Sequence, residues 1–166
     1  SVRLRLKKYP DDLNLYEKIL EVFKKYDITH FFYCGGNDSM DTCYKIDDYF
    51  KQVGYKCTVL GLPKTVDNDL VETDHCPGYG SAAKIVSTMM AEIYHDTSVY
   101  KKGRVTIVEV MGRDAGWLTA STHLANIYNN GPDLIYLPEY VFDMDKFLKD
   151  VEEIYTKQKK VLVAVS

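Results

Sequence analysis

The residues best suited to chemistry lie in Pro63-Lys64-Thr65-Val66-Asp67-Asn68-Asp69, where two carboxylates stand two positions apart beside a lysine. One carboxylate can accept the proton of an attacking hydroxyl, and a second can help hold a metal or steer a cation. Lys64 can neutralise phosphate oxygens as a point charge. The bland alternative is an Asx-rich surface turn, but the segment directly follows a strand-like run, Val59-Leu60-Gly61-Leu62. A second cluster, Gly35-Gly36-Asn37-Asp38-Ser39, follows Phe31-Phe32-Tyr33-Cys34. Its glycines let backbone N–H groups approach an anion, and Ser39 and Asp38 add a hydroxyl and a carboxylate. The same residues also suit a tight strand-to-helix turn with Ser39 as cap, and the local pattern leaves both readings open. A third cluster, Met111-Gly112-Arg113, ends the run Val105 to Val110. Its arginine can grip phosphate with two prongs or pair with a neighbour such as Asp114.

Each cluster is the polar exit of an apolar run, and in an open α/β sheet the ligand crevice lies outside the carboxyl ends of the strands. The pattern therefore suggests one active site assembled from several loops, with phosphate as its object. Apolar periodicity places helices over 13–26, 39–53, 81–94, 116–128 and 143–158. Strands are expected over 28–34, 55–62, 104–110, 134–137 and from Lys160 to the end. Asp11 or Asp12 is a candidate cap for the first helix. In the third, Ile85, Met89, Met90 and Ile93 share a face that reads as core. This alternation implies an α/β fold: a mostly parallel, doubly wound, Rossmann-like three-layer sheet. Residues 63–79 form a polar stretch whose length inside a compact domain points to function. A weak boundary signal falls at Lys101-Lys102-Gly103.

The chain has 166 residues, 46% hydrophobic and 27% charged, enough for an ordinary globular domain with a core. A net charge of -3 offers no basic field for nucleic acid or an anionic membrane. No apolar run approaches the roughly 20 residues of a membrane helix, and Ser1 to Pro10 lacks the apolar stretch of a signal peptide. Cys34, Cys43, Cys57 and Cys76 contain no CxxC pair and read as structural thiols, the first and third buried in or beside strands. That usage fits a reducing, cytoplasmic location. The four histidines have no metal-ligand spacing; His75 is expected at the surface. Both ends read as cut, a charged opening and a final buried-strand pattern, so the chain is expected to be part of a longer protein.

Taken in order, GGNDS, PKTVDND and MGRDAGW, each after a strand, resemble the phosphofructokinase family. TDHCPGYGSA and LIYLPE also look like segments of that family, and the resemblance runs from about Leu13 to the end. It implies phosphoryl transfer to the 1-hydroxyl of fructose 6-phosphate, with Mg²⁺ as cofactor. Asp67 matches the general base, and Asp69 and Thr65 its partners near the transferred phosphoryl and the sugar. Met111, Gly112 and Arg113 match the sugar-phosphate segment; Gly35 and Gly36, with Asn37, Asp38, Ser39 and Lys64, match the phosphate-donor side. Residues 1–103 would then be the latter part of a donor-binding domain and 104–166 the first part of a sugar-phosphate domain.

The donor turns on two positions. ATP-using members typically carry glycine where this chain has Asp38 and Lys64, and pyrophosphate-using members carry aspartate and lysine. The physics agrees: a carboxylate at Asp38 crowds and repels a nucleotide α-phosphate, whereas Lys64 compensates pyrophosphate. Pyrophosphate is therefore the expected donor. An ATP-dependent enzyme and a non-catalytic regulatory or assembly subunit on the same fold are the alternatives. Asn37 departs from the aspartate that many members associate with Mg²⁺, and an amide is the weaker ligand. That shifts metal ligation towards Asp67, Asp69 or water. The resemblance further implies a homo-oligomeric parent protein, and site residues outside this stretch, so the 166-residue chain alone is expected to turn over little.

Overall fold

A computed structural model describes residues 5–166; the charged opening read from the sequence lies, for residues 1–4, outside the described part. The chain forms two compact units, Ser1–Lys64 and Thr65–Ser166.

The first unit is built on aromatic side chains. Helix α1 (Leu13–Lys25) buries Tyr16 and Phe23, and Lys24 and Lys25 in its last turn suit the negative end of the helix dipole. Asp12 occupies the capping position but does not cap: its carboxylate accepts from the Lys7 N–H at 2.6 Å and ties down the preceding segment. Helix α2 (Asn37–Gln52) contributes Ile46, Tyr49 and Phe50 to the same core, against which Phe31 and Val59 pack. The rings of Tyr16 and Tyr49 lie 4.9 Å apart and those of Phe23 and Phe50 5.0 Å apart, contacts worth about 0.5–1.5 kcal/mol each beyond burial. The Tyr55 hydroxyl donates to Phe23 O at 3.0 Å and also lies 2.8 Å from Ile28 O, joining the end of α1 to the strand that follows. Strands β1 (His30–Gly35) and β2 (Thr58–Pro63) pair in parallel, from His30 opposite Thr58 to Gly35 opposite Pro63. The outer face of this pair carries exposed Phe32, Leu60 and Leu62. Cys34 is exposed too, contrary to the buried position expected for it, because alternation along β1 turns it away from the helices.

The second unit has three layers. Its sheet contains β3 (Arg104–Glu109), β4 (Leu134–Tyr136) and β5 (Lys160–Val165), all parallel in the order β3-β5-β4. Central β5 is buried on both faces from Val161 to Ala164, which its unbroken apolar run requires. Helix α3 (Tyr79–Ser98) lays Met90 against Leu162 and Ala164, with Ala125 completing the cluster. Met89 and Ile85 are exposed rather than core, since the buried stripe of α3 runs through Ala83, Met90 and Thr97. The helix expected over 116–128 is split into α4 (Trp117–Ser121) and a 3-10 helix (Thr122–Tyr128). The Ser121 and Thr122 hydroxyls each donate to the carbonyl three residues back, at 2.6 Å, and favour the tighter winding. Helix α5 (Met144–Gln158) is capped by Asp143, which accepts from Lys146 N at 3.0 Å. Among the described residues no helix is long and apolar enough to cross a membrane.

Candidate functional site

The in-register pairing of β1 and β2 decides the geometry of the first unit's polar end. Because Gly35 sits opposite Pro63, both strands release their loops at the same edge, and Lys64 N donates to Gly35 O at 2.9 Å. Helix α2 then starts two residues earlier than expected, at Asn37, with Gly36 as its N-cap residue. Ser39 therefore lies in the first turn and is not the cap. A side chain on Gly35 would collide with it, since an added Cβ would stand 2.1 Å from Ser39 Oγ. Asp38, also in the first turn, stabilises the positive end of the helix dipole. Its Oδ2 lies 3.2 Å from the guanidinium of Arg5, in an exposed ion pair. A cleft of about 440 Å³ opens beside this turn, lined by Arg5, Tyr33, Asp38, Ser39, Thr42 and Lys45. Asp41 lines it too, and both cations are already paired, Arg5 with Asp38 and Lys45 with Asp41, so what the cleft offers an anion is the N-terminus of α2. Lys64 is exposed at the strand end.

In the second unit, residues 65–78 have no regular structure and are held by side-chain hydrogen bonds. Thr65 Oγ1 accepts from Asp67 N at 3.2 Å, a local turn that fixes the backbone from which the carboxylate extends. Asn68 follows in the left-handed region, φ 54°, with its side chain turned inward. Asp67 and Asp69 are both half-buried. The Asp67 Oδ1 atom is shielded from solvent and has no hydrogen-bond partner among the described residues. A carboxylate oxygen so placed is available to a proton or a cation. Among the described residues there is no cluster of three or more His, Cys, Asp or Glu able to hold a metal by themselves. Asp67 and Asp69 offer two carboxylates, the number Mg²⁺ takes from a protein where phosphate oxygens and water fill its remaining positions.

The β3 exit shows why glycine stands at position 112. Its φ is 151°, and a Cβ there would meet Ala115 O at 2.7 Å, so the chain can fold back only without a side chain. Met111 and Arg113 are exposed. Arg113 makes no salt bridge among the described residues, so the alternative pairing with Asp114 is not formed there. The loop is tied down further along, where Gly116 N donates to Glu139 Oε1 at 2.7 Å and the Tyr79 hydroxyl donates to Trp117 O at 3.2 Å.

Sequence reasoning missed three of these contributors. Arg5 carries no local signal, since its partner Asp38 is 33 positions away. Glu139 could have been found: it follows a strand-like run and a proline, as Lys64 does after Leu62 and Pro63. Asn68 stands inside the motif, yet its type alone does not announce a buried hydrogen-bonding role. His75 is exposed, as expected, with its ring edge-on to Tyr79 at 5.9 Å.

Comparison with known proteins gives these loops a family. The sequence profile described as phosphofructokinase matches residues 2–166. The pyrophosphate--fructose 6-phosphate 1-phosphotransferase of Xanthomonas campestris is 41% identical over all of this chain and 40% of its own length. The ATP-dependent 6-phosphofructokinase of Actinobacillus pleuropneumoniae is 34% identical, over 93% of this chain and 45% of its own. The crystal structure of the pyrophosphate-dependent phosphofructokinase from Nitrosospira multiformis superposes with a TM-score of 0.84 at 41% identity, covering 93% of this chain and 40% of that one. The chain thus spans about two fifths of the length of the pyrophosphate-named relatives it matches. With the profile matched along almost its whole length, and with parallel strands that end in the three motifs, this chain belongs to the phosphofructokinase family.

Proposed function

We propose that this chain is the part of a pyrophosphate-dependent 6-phosphofructokinase that carries the general base. The observation that carries the reading is Asp67: half-buried on a loop fixed by its neighbours, with one carboxylate oxygen bonded to nothing among the described residues. In the reaction, the 1-hydroxyl oxygen of fructose 6-phosphate attacks the terminal phosphorus of pyrophosphate. Its proton passes to the Asp67 carboxylate, the bridging P–O bond breaks, and orthophosphate leaves with the electron pair. Such transfers depend on positioning and charge neutralisation more than on covalent chemistry by the protein. Thr65 orients Asp67 through its backbone, and Asp69 supports the site beside the transferred phosphoryl. Gly35 and Gly36, the start of α2 and Lys64 receive the donor's phosphates, with Asn37 and Ser39 beside them. Met111, Gly112 and Arg113 receive the sugar phosphate. Mg²⁺ would be held by Asp67 or Asp69 together with phosphate oxygens, more weakly aided by Asn37, and would neutralise phosphate charge.

Residues 1–103 would serve the donor and 104–166 the sugar phosphate, a division by ligand rather than by compact unit. Asp38 and Lys64 together support pyrophosphate over ATP: the Asp38 carboxylate, in the first turn of α2, would crowd and repel a nucleotide's α-phosphate, and Lys64 would compensate the charge of pyrophosphate. The higher identity to the pyrophosphate-named relative, 41% against 34%, points the same way. The parent protein would be a cytoplasmic homo-oligomer acting on small phosphorylated substrates, neither nucleic acid nor membrane, and this stretch alone would have little turnover.

The test is fructose 1,6-bisphosphate formation by the intact enzyme with Mg²⁺ and either pyrophosphate or ATP as sole donor. Turnover with pyrophosphate alone is expected, and Asp67→Asn should lower kcat by about 10²- to 10⁴-fold, the range a general base supplies. Turnover with ATP alone refutes the donor assignment. Turnover with neither, or an unchanged Asp67→Asn enzyme, makes the chain part of a regulatory or assembly subunit.

A further inference from the structure

Between the two carboxylates stands a residue to which the proposed reaction assigns no role. Asn68 is 5% exposed, although its neighbours Asp67 and Asp69 are half-open to solvent. Its backbone is left-handed, φ 54°, a conformation asparagine tolerates better than other residues with a Cβ. That twist sends its side chain inward while Asp67 and Asp69 stay near the surface. The amide then closes a loop. Asn68 Oδ1 accepts from Cys76 N at 2.7 Å, and Nδ2 donates to Asp74 O at 3.3 Å. Cys76 is fully buried, and Leu70 is buried between the two ends, so the far side of the clasp is a fixed point. The segment between also holds Glu72 at φ 54°. A left-handed glutamate is a strained conformer that persists only where surrounding structure enforces it. With Thr65 holding Asp67 N from the other side, the base is pinned at both ends of its turn.

We infer that Asn68 is a positioning residue: its amide clasp to residues 74–76 fixes the direction of the Asp67 and Asp69 carboxylates, without touching substrate. The inference rests on the reading of Asp67 as general base. A lost clasp should let the base drift, and misplacement by about 1 Å can cost on the order of a hundredfold in rate. Binding of either substrate needs no contact with Asn68, so the loss should fall on kcat.

The experiment uses the intact enzyme with Asn68→Gly and Asn68→Ala. Glycine keeps the left-handed backbone and removes only the clasp; alanine removes both. Val71→Ala, in the same loop but 87% exposed, is the control. Hydrogen exchange at the Cys76 amide reports the clasp independently of activity. Asn68→Gly and Asn68→Ala should lose Cys76 protection and about ten- to a hundredfold of kcat, with KM for both substrates held within about threefold. Val71→Ala should match the wild type. Wild-type kcat in Asn68→Gly with Cys76 protection lost overturns the positioning role and leaves the function intact. A raised KM at unchanged kcat overturns it in favour of substrate binding. A wild-type enzyme inactive with either donor overturns the functional reading and the positioning role with it.

Discussion

Gly35→Ala is the sharpest test of how the donor side is built. Gly35 ends β1, opposite Pro63, and its carbonyl accepts from Lys64 N at 2.9 Å. An added Cβ would lie 2.1 Å from Ser39 Oγ and 2.6 Å from Ser39 Cβ. The hydroxyl can rotate away, but the Ser39 Cβ is fixed by the backbone of α2. Ordinary contact begins at 3.4 Å, so the turn must open by the difference, 0.8 Å. Overpacking of this kind costs about 1–3 kcal/mol. That corresponds to a fall in melting temperature of roughly 2–4 °C per kcal/mol in a domain of 150–250 residues. The displaced atoms are the backbone of the proposed donor loop, so affinity for pyrophosphate should weaken as well.

Thermal melting of the wild type, Gly35→Ala, Ser39→Gly and the double variant measures the effect. Ser39→Gly alone should cost about 0.5–1 kcal/mol, because glycine is entropically poor in a helix. In the double variant the clash disappears, so the two changes should couple favourably by at least about 1 kcal/mol, well outside the ~0.3–0.5 kcal/mol within which independent sites add. Additive stabilities, or a Gly35→Ala protein as stable as the wild type, would refute the close approach of β1 and α2 and with it the geometry given to the donor loop.

Two further outcomes test other parts of the molecule. Replacing Asp38 and Lys64 together by glycine should raise kcat/KM with ATP and lower it with pyrophosphate in the intact enzyme; no gain with ATP would show that the Asp38 carboxylate does not exclude the nucleotide. In the native protein an aromatic disulfide reagent should modify Cys34 quickly, since it is exposed, and Cys57 slowly. Cys43 and Cys76 should react only on unfolding, because both are buried and burial pushes the Cys43 thiol above its ordinary pKa; rapid labelling of all four would contradict the packing of α2 and of the 68–76 loop.

The strands were legible because each is a short apolar run bounded by polar or glycine-rich turns, and β5 was clearest because burial on both faces leaves no polar position from Val161 to Ala164. The buried face of α3 was misread because apolar residues surround it: Ile85 and Met89 fit a helical stripe as well as Ala83 and Met90 do, and only tertiary packing selects the latter. The break at Ser121 depends on hydroxyls turning back to the helix's own carbonyls, a choice their sequence permits but does not compel. The polar exits themselves were visible as sequence. What fixes them was not, since Arg5 to Asp38 and Glu139 to Gly116 are pairings made only through space.

The two halves of the proposed machinery are stabilised in different ways, and the difference bears on how each can fail. The base loop is self-contained: Thr65 holds Asp67, and Asn68 holds residues 74–76, all within a dozen positions of sequence. Short loops of this kind close at little entropic cost and keep their form while their few bonds hold. The donor turn instead depends on partners brought from far along the chain, β2 beside β1 and Arg5 beside Asp38, as well as on the local close approach of Gly35 to Ser39. Damage to the aromatic core of the first unit therefore reaches the donor turn directly, through α2 and the paired strands. The base loop is disturbed most directly from within. A core substitution at Phe50 and a clasp substitution at Asn68 should accordingly separate in kinetics, the first raising KM for pyrophosphate and the second lowering kcat.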